Sequence, residues 1–518
     1  MIAGKRLLDP VTPPASSVAV TGGLHLVVQP FARTLALAAA LALLLGVSAA
    51  RAGHVPLPVR GALDAQILGS ARDVTLTVYG VGMMNADDAA DLLLGELPTG
   101  VHGDEKSEPV VVLGRSTWPA SAAVRSLQPL KLTLPVLGMD DSLQMIGVAD
   151  VDGDGRDDLI SQLIRQNIMR RTAATVHVNF SPESWSGRPN ITRGDINIDA
   201  PGLAAYLQAF AEDLSGDGLP DLVLRSLEGV HIYLGRDPWP GTIREAGVDV
   251  TLQPATNSVD VADVTGDGLA DIVATLIGEG ADVALLEGRA AWEEAYDLAA
   301  EADARLGEGD QAFGARTVPD LDGDGLSDVI VADHDAGTVR VYPGGPDLAA
   351  RMVRPENAAW SVVGITDTFD LNAFDLTGDG MAELVFDRTT VFFGGQVRTG
   401  AYDATDPDGR WEDLPEGWFF SGDVDGSGTL DVLVSYPPYS AMGGSNTGRV
   451  AILFGPRAKA PVLPTATEVP PTTTATATAT DDPAPTATAT GVATAPGTPG
   501  TQAVSWIFLP ALMAKAGL

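Results

Sequence analysis

The feature that most constrains the fold is an acidic nonamer that recurs along the chain. Its first copy, DVDGDGRDD, spans residues 150–158, and five further copies begin at Asp213, Asp263, Asp320, Asp375 and Asp423. Successive copies start 48 to 63 residues apart, a spacing that is typical of one supersecondary unit per copy in a repeat protein. The nonamer therefore predicts an array of similar units.

The residues around each copy predict β-strands. An apolar run follows each nonamer, and a later run ends in glycine, as in VHIYLG (230–235) and VAILFG (450–455). A third run precedes the nonamer and often carries an aromatic residue, such as Phe210 or Phe419. Short alternating runs with turn glycines indicate antiparallel strands. About four such strands in each period of roughly 50 residues are typical of a β-propeller blade.

A seventh unit precedes the six nonamers. Residues 83–95, MMNADDAADLLLG, keep Asn85 and Asp87 at the third and fifth positions, but Ala86 and Asp88 replace the glycines. We interpret this unit as a blade with a degenerate loop. The fold prediction is an all-β, seven-bladed propeller over residues 53–458. Residues 53–72 are expected to supply the strand that closes the ring, because closure removes exposed sheet edges.

The nonamer has the chemistry of a calcium loop. Calcium takes six to eight oxygen ligands. Positions 1, 3, 5 and 9 offer side-chain oxygens, position 7 offers a backbone carbonyl, and glycines at positions 4 and 6 permit a tight wrap. The predicted ligands are Asp150, Asp152, Asp154, Arg156 and Asp158; Asp213, Ser215, Asp217, Leu219 and Asp221; Asp263, Thr265, Asp267, Leu269 and Asp271; Asp320, Asp322, Asp324, Leu326 and Asp328; Asp375, Thr377, Asp379, Met381 and Glu383; and Asp423, Asp425, Ser427, Thr429 and Asp431.

Other metals and another calcium fold fit less well. The chain has no cysteine and the loops contain no histidine, which argues against zinc and copper, and magnesium demands a stricter octahedral geometry. An EF-hand needs an acidic residue at position 12 and flanking helices, whereas position 12 is Ser161 in the first loop and Leu224 in the second. We therefore predict about six calcium ions with a mainly structural role, because metal binding contributes folding free energy.

These units resemble the FG-GAP or VCBS-type repeats of integrin α-subunit-like β-propellers. The resemblance covers about three quarters of the chain; Phe313-Gly314 keeps the FG pair, while no blade keeps a clear GAP. It implies that each D-x-D/N-x-D-G-x-x-D loop joins two strands of a blade and binds calcium. It also implies a surface or adhesion protein.

The two ends of the chain differ from the repeat region. Residues 1–52 contain the apolar run LALAAALALLLGV between basic residues and Ala50-Arg51-Ala52, which predicts a secretory signal cleaved after Ala52; the alternative is an uncleaved membrane helix. Residues 459–503 are rich in Pro, Thr and Ala and predict either an extended stalk or a plain disordered spacer. Residues 504–518 form a short apolar tail, interpreted as an element of membrane or envelope retention; the alternative is a small strand or an interfacial patch.

The sequence favours a binding function. A net charge of −36 argues against nucleic acid as a partner, since phosphate binding needs clustered Lys and Arg. We predict a secreted or cell-surface, monomeric, calcium-stabilised propeller that binds a protein or glycan as an adhesion module, and we assign no catalytic residue. The alternative is an extracellular enzyme that acts on polysaccharide or another polymer, because a propeller face can build an active site from scattered residues.

Overall fold

Seven β-sheets make up the described part of the chain. The computed structural model describes residues 57–457, except 60–62, 70–73, 99–107, 138–140, 167–171, 200–205, 227, 278–281, 308–312, 367, 369–370, 388, 396–397, 412–416 and 436–447. These residues belong to one unit, His54–Leu518. The predicted signal (1–52), linker (459–503) and C-terminal tail (504–518) lie outside the described residues.

Each sheet is one blade of a seven-bladed propeller, and the four strands of blades 1 to 6 are arranged in chain order. Blade 1 contains Val74–Gly82, Asp91–Pro98, Glu108–Val112 and Leu130–Lys131. Blade 2 contains Ser142–Ala149, Asp158–Gln166, Thr172–Asn179 and Ile196–Asp199. Blade 3 contains Tyr206–Glu212, Asp221–Ser226, Val230–Tyr233 and Val250–Gln253. Blades 4 and 5 contain Thr256–Ala262, Asp271–Leu276, Val283–Leu286 and Ala304–Leu306; and Phe313–Val318, Asp328–Asp333, Thr338–Tyr342 and Trp360–Val363. Blades 6 and 7 contain Leu371–Phe374, Glu383–Phe386, Thr390–Phe392 and Gly409–Trp411; and Trp418–Gly422, Asp431–Ser435, Arg449–Leu453 and Ala65–Leu68.

The first strand of each blade lies nearest the propeller axis, since first strands of neighbouring blades contact each other. The second strands are buried at every residue in blades 3, 4, 6 and 7. This burial has a simple cause: each sheet packs between two other sheets, and its second strand therefore has no solvent face. One apolar cluster, for example, joins Val264 and Val283 of blade 4 to Val329 and Tyr342 of blade 5.

The ring is closed by residues near the N-terminus of the described region. Ala65–Leu68 pairs antiparallel with Arg449–Leu453 and becomes the fourth strand of blade 7. Leu57–Val59 pairs parallel with Gly409–Trp411 at the outer edge of blade 6. The structure thus confirms the closing strand expected from residues 53–72, and it joins the two ends of the repeat array by hydrogen bonds.

The connections between third and fourth strands reach back to the preceding blade. In the connections of blades 1, 4 and 6, a short strand pairs in parallel with the outer edge of the blade before it: Ala122–Ala123, Ala295–Asp297 and Gly400–Asp403. Single parallel bridges, Thr133 with Asn190 and Ile198 with Ile243, do the same for blades 2 and 3. These additions cover outer edges that would otherwise present unpaired backbone groups.

The few helices among the described residues lie in these same connections. They are the 3-10 turns Val124–Leu127, Glu245–Gly247 and Pro355–Asn357 and the single-turn α-helices Leu298–Glu301 and Leu348–Arg351. Among the residues that the structure describes, no helix has the length and apolar character needed to span a bilayer.

The closing strand provides a stability test. Ile67 is 1% exposed and packs in the cluster that joins blades 7 and 1, so Ile67→Ala should lower the free energy of unfolding by about 2–5 kcal/mol. Val136 is 95% exposed, and Val136→Ala should change the free energy of unfolding by less than about 0.5 kcal/mol. Urea unfolding measures both, and equal stabilities would contradict a closed ring.

Candidate metal centres

The six acidic loops join the first strand of a blade to the second, as in Ser142–Ala149 and Asp158–Gln166 of blade 2. The strands run in the same order in every blade, and the loops therefore lie on one face of the propeller. Strands, and not helices, flank each loop, in agreement with the exclusion of an EF-hand.

The first-position aspartate holds the loop together. Asp150 Oδ1 accepts hydrogen bonds from the Gly153 and Asp154 N–H groups at 2.8 and 3.1 Å, and Oδ2 accepts one from Gly155 N–H at 2.8 Å. The equivalent Oδ2 atoms in the other loops accept N–H groups at 2.6 to 3.0 Å from Gly218, Gly268, Gly325, Gly380 and Gly428. One carboxylate thus organises the backbone of each loop.

The loop glycines are required by conformation. All twelve glycines at the fourth and sixth positions have φ between 68° and 90°, a region that residues with a Cβ rarely adopt. At the fourth position space is short as well, since a Cβ on Gly216 would lie 2.7 Å from Leu269 Cδ2 of the next loop. The G-x-G spacing in the sequence therefore reports both a left-handed turn and a contact between loops.

The ninth-position carboxylate links the loop to the third strand of its own blade. Asp271 Oδ2 accepts from Val264 N–H and Oδ1 accepts from Gly288 N–H, each at 2.9 Å. A Cβ on Gly288 would lie 2.5 Å from the Ala270 carbonyl oxygen, which explains why the run that forms the third strand ends in glycine. In blade 2, Ser181 N–H takes the glycine's place and donates to Asp158 Oδ1 at 2.8 Å.

Three loops bring three carboxylates together. Positions 1, 3 and 9 have oxygens within 4.8 Å of one another in the groups Asp150, Asp152 and Asp158; Asp320, Asp322 and Asp328; and Asp423, Asp425 and Asp431. In two other loops the third-position hydroxyl, Ser215 Oγ or Thr377 Oγ1, lies 3.5 Å from the first carboxylate. The loops therefore differ in charge: some have a carboxylate at the third position, and others have a neutral hydroxyl there.

The fifth-position side chains are not part of these groups. Their carboxylates instead accept the seventh-position N–H at 2.9 to 3.0 Å, in the pairs Asp154 with Arg156, Asp217 with Leu219, Asp267 with Leu269, Asp324 with Leu326 and Asp379 with Met381. Ser427 makes the same contact with Thr429 N–H at 3.4 Å. Ligation by position 5 and by the position-7 carbonyl remains a prediction.

Burial raises the pKa of the ninth-position carboxylates, and neighbouring carboxylates raise it further. The pKa is about 8 for Asp158, about 7 for Asp328 and Asp431, and about 9 for Glu383. An ionised carboxylate has about four lone-pair positions, of which Asp158 uses two for N–H groups. Buried, clustered, oxygen-only donors with unused lone pairs fit a hard divalent cation such as Ca²⁺.

The degenerate loop of blade 1 has a different hydrogen-bond pattern at its third and ninth positions. Asn85 Nδ2 donates to Asp91 Oδ2 at 3.1 Å, while Gly114 N–H donates to Oδ1 at 2.8 Å. The Asn85 amide thus supplies a neutral donor at the third position, where three other loops place a carboxylate. Ala86 and Asp88 lack the positive φ of the glycines they replace, so this loop does not reproduce the calcium-loop backbone.

The loops also connect neighbouring blades. The eighth-position N–H donates to the first-position carbonyl of the preceding loop in Ala90 to Asp423, Asp157 to Met83, Ala270 to Asp213 and Ala382 to Asp320, at 2.7 to 2.8 Å. The indoles of Trp118 and Trp239 donate to the carbonyls of Val424 and Val151 in the preceding loops at 3.0 and 3.1 Å. In the sequence, each of these tryptophans precedes a proline (Pro119 and Pro240), and in the structure each indole forms an inter-blade contact.

Comparison with known proteins agrees with this architecture. The model of the FG-GAP-like repeat family matches residues 213–274, which include the second and third loops. The described chain is therefore a seven-bladed β-propeller that contains an FG-GAP-like repeat. Its repeat region keeps the acidic nonamer in six blades and lacks the full nonamer in blade 1.

Similarity to individual proteins is low. No curated protein sequence matches the chain. Among solved structures, the exotype rhamnogalacturonan lyase YesX is 13% identical, with 78% of this chain and 76% of the lyase covered and a TM-score of 0.36. The WD40 domain of coronin from Toxoplasma gondii is 11% identical, with 78% and 85% covered and a TM-score of 0.33.

Calcium removal should destabilise the protein. Each occupied site is expected to add about 2.7 kcal/mol at a calcium concentration 100 times its Kd, so chelation should lower Tm and calcium should restore it. Asp322→Asn removes one carboxylate from its group and should weaken one site about tenfold. Asp88→Asn makes the same change in the degenerate loop and should leave calcium binding, measured by calorimetry, unchanged. Equal loss in both variants would contradict the assignment.

Stability should also depend on pH, with a sign set by the raised pKa values. The folded pKa of Asp158, about 8, and that of Glu383, about 9, exceed the ordinary values of 3.8 and 4.5 for these side chains. The folded state therefore binds more protons than the unfolded state between about pH 4 and 9, and stability falls as pH rises. Chelated protein should lose stability from pH 5 to 9 in chemical unfolding, while the calcium-induced gain should grow. A metal-free protein that is more stable at pH 9 would contradict this.

Proposed function

We propose that this chain is a secreted or cell-surface, calcium-stabilised propeller that acts as a binding or adhesion module. The observation that carries the proposal is the use of the loop carboxylates. Asp271, for example, accepts N–H groups from its own loop and from Gly288 of the third strand, while the loop carbonyls accept N–H groups from the next blade. Groups committed in this way serve the fold, and a ligand would contact other parts of the propeller.

Calcium would have a structural role in this proposal. The acidic residues at positions 1, 3 and 9 would hold the ion, which would offset the repulsion among carboxylates such as Asp320, Asp322 and Asp328. The chain has no cysteine, so disulfides cannot stabilise it outside the cell. Metal sites that link blades would supply that stabilisation, and extracellular calcium would keep even weak sites occupied.

The proposed partner is a protein or glycan at the cell surface, bound by a monomer. A closed propeller offers a rigid surface on which binding residues can be placed without changes to the blades. Export by residues 1–52 and retention by residues 504–518 remain predictions, because both segments lie outside the described residues.

The proposal can be tested on the exported full-length protein. We expect the protein recovered outside expressing cells to begin at Gly53, and we expect it, in calcium buffer, to retain cell-envelope polysaccharide or protein without altering its length. Mass spectrometry, retention on immobilised protein and size-exclusion of the recovered polymer provide the measurements. Heat-denatured protein is the control.

The outcomes separate the two classes of function. Retention of an unaltered polymer supports a binding module. Progressive shortening of a polysaccharide would instead establish the alternative, an extracellular enzyme with a site on a propeller face. Neither retention nor shortening, from a protein that unfolds with the expected calcium dependence, would overturn the binding proposal.

A further inference from the structure

A polar cavity lies among the inner strands of blades 3 to 6, apart from the acidic loops. Its volume is about 80 Å³, which exceeds the space needed by one water molecule. Its wall combines apolar groups with the polar and basic side chains of Arg225, Asn257, Ser258, Thr275, Arg316 and His334. Asn257 is exposed and Ser258 half-buried, so the cavity opens to solvent beside them.

Three charged residues at this place depart from the repeat. Arg316 lies four residues before its nonamer, where the other blades have Tyr79, Ile146, Ala209, Val259, Leu371 and Phe419. Asp260 lies three residues before its nonamer, at a position that is uncharged in the other blades. Arg225 follows the ninth position by four residues and is the only basic residue at that position among the seven blades. The blade fold does not require these charges, since the other blades form without them.

The cavity wall holds an incompletely bonded cation. Arg225 is 6% exposed, and one of its terminal N–H groups donates to the Asn257 carbonyl. Its Nε is buried and has no hydrogen-bond partner within the described residues. A buried donor without an acceptor costs about 1–3 kcal/mol, so the native fold retains an unfavourable group on a side chain that lines the cavity. An anion bound beside this guanidinium would offset part of that cost.

The charges select the valence of the anion. Asp260 is 8% exposed, accepts Thr317 N–H at 3.1 Å and attracts both Arg225 and Arg316. Two arginines and one aspartate leave a single positive charge, which matches a monovalent carboxylate better than a doubly charged phosphate. Arginine also binds carboxylate oxygens with directed, charge-assisted hydrogen bonds.

The cavity mouth suggests what accompanies the carboxylate. The side chains of Asn257 and Ser258 lie at the mouth and carry neutral donors and acceptors of the kind that pair with hydroxyl groups. We propose that this cavity binds the carboxylate of a sugar acid, with Arg225 and Arg316 on the carboxylate and the neutral side chains on adjacent hydroxyls. This inference rests on the proposed binding function and names the chemical class of its ligand.

The test uses the full-length protein in calcium buffer with D-glucuronate as the probe. Calorimetry should show saturable binding of D-glucuronate, at least tenfold weaker binding of inorganic phosphate, and no binding of D-glucose. Arg225→Gln should weaken glucuronate binding about tenfold or more, because a charge-assisted hydrogen bond contributes roughly 1.5–3 kcal/mol. Arg354→Gln makes the same charge change at a side chain that is 70% exposed and should bind as the parent does.

A second variant covers the case in which Arg225→Gln does not fold. Ser258 is half-buried, and Ser258→Ala, checked by an unchanged thermal midpoint, should weaken glucuronate binding several-fold. Equal affinity for glucuronate and glucose, tighter binding of phosphate, or parental affinity in a folded Arg225→Gln or Ser258→Ala variant would each overturn the proposal.

Two further comparisons complete the test. A glucuronate-terminated oligosaccharide that binds more tightly than the free acid would assign the site to glycan ends, whereas equal affinity would assign it to the free acid. Retention of envelope polymer without glucuronate binding would overturn only this inference. Glucuronate binding without retention of any polymer would instead overturn the proposed adhesion function.

Discussion

The rest of the structure depends on the buried carboxylate at the ninth position of each acidic loop. This group begins the second strand, accepts an N–H from the loop and accepts another from the end of the third strand, as Asp328 does with Leu321 and Gly344. Three segments of the blade are thereby fixed by one side chain. Burial makes the ionised form costly, which explains the raised pKa of these residues and why the proposed calcium ions would stabilise them.

The loops couple this local constraint to the whole ring. Loop carbonyls accept backbone N–H groups from the following blade, and the indoles of Trp118 and Trp239 donate to neighbouring loop carbonyls. Order in one loop therefore supports the contact with the next blade. In the blade 1 loop, the Asn85 amide donates a hydrogen bond to the Asp91 carboxylate. Blade 1 therefore forms its loop without a carboxylate at the third position.

The repeat also makes its exceptions informative. Residues that recur in every blade serve folding, whereas Arg225, Asp260 and Arg316 are charged at positions where most blades are apolar or small. Buried charges are costly unless paired, and their concentration in three consecutive blades around one cavity indicates a task beyond folding. Alignment of the seven units at the nonamer would have identified these positions from the sequence, because the signal is a departure from the repeat and not a motif.

Much of the fold followed from the sequence by itself. The nonamer spacing, the glycine pairs and the short apolar runs determined the seven blades, the loop positions and the closing strand, because these features depend on local backbone preferences that repeat along the chain. The loop oxygens at positions 1, 3 and 9 were predictable for the same reason, since a nine-residue turn with two left-handed glycines brings them together locally.

Only the tertiary structure decided which residues from different blades meet. The parallel edge strands, the indole contacts with the preceding loop and the cavity between Arg225 and Arg316 join segments that are tens of residues apart. Strand periodicity specifies the face of a residue within its own sheet, but the packing of one sheet against the next sets its neighbours. Arg225 and Arg316 lie 91 positions apart in the sequence, and the ring of blades places both at one cavity.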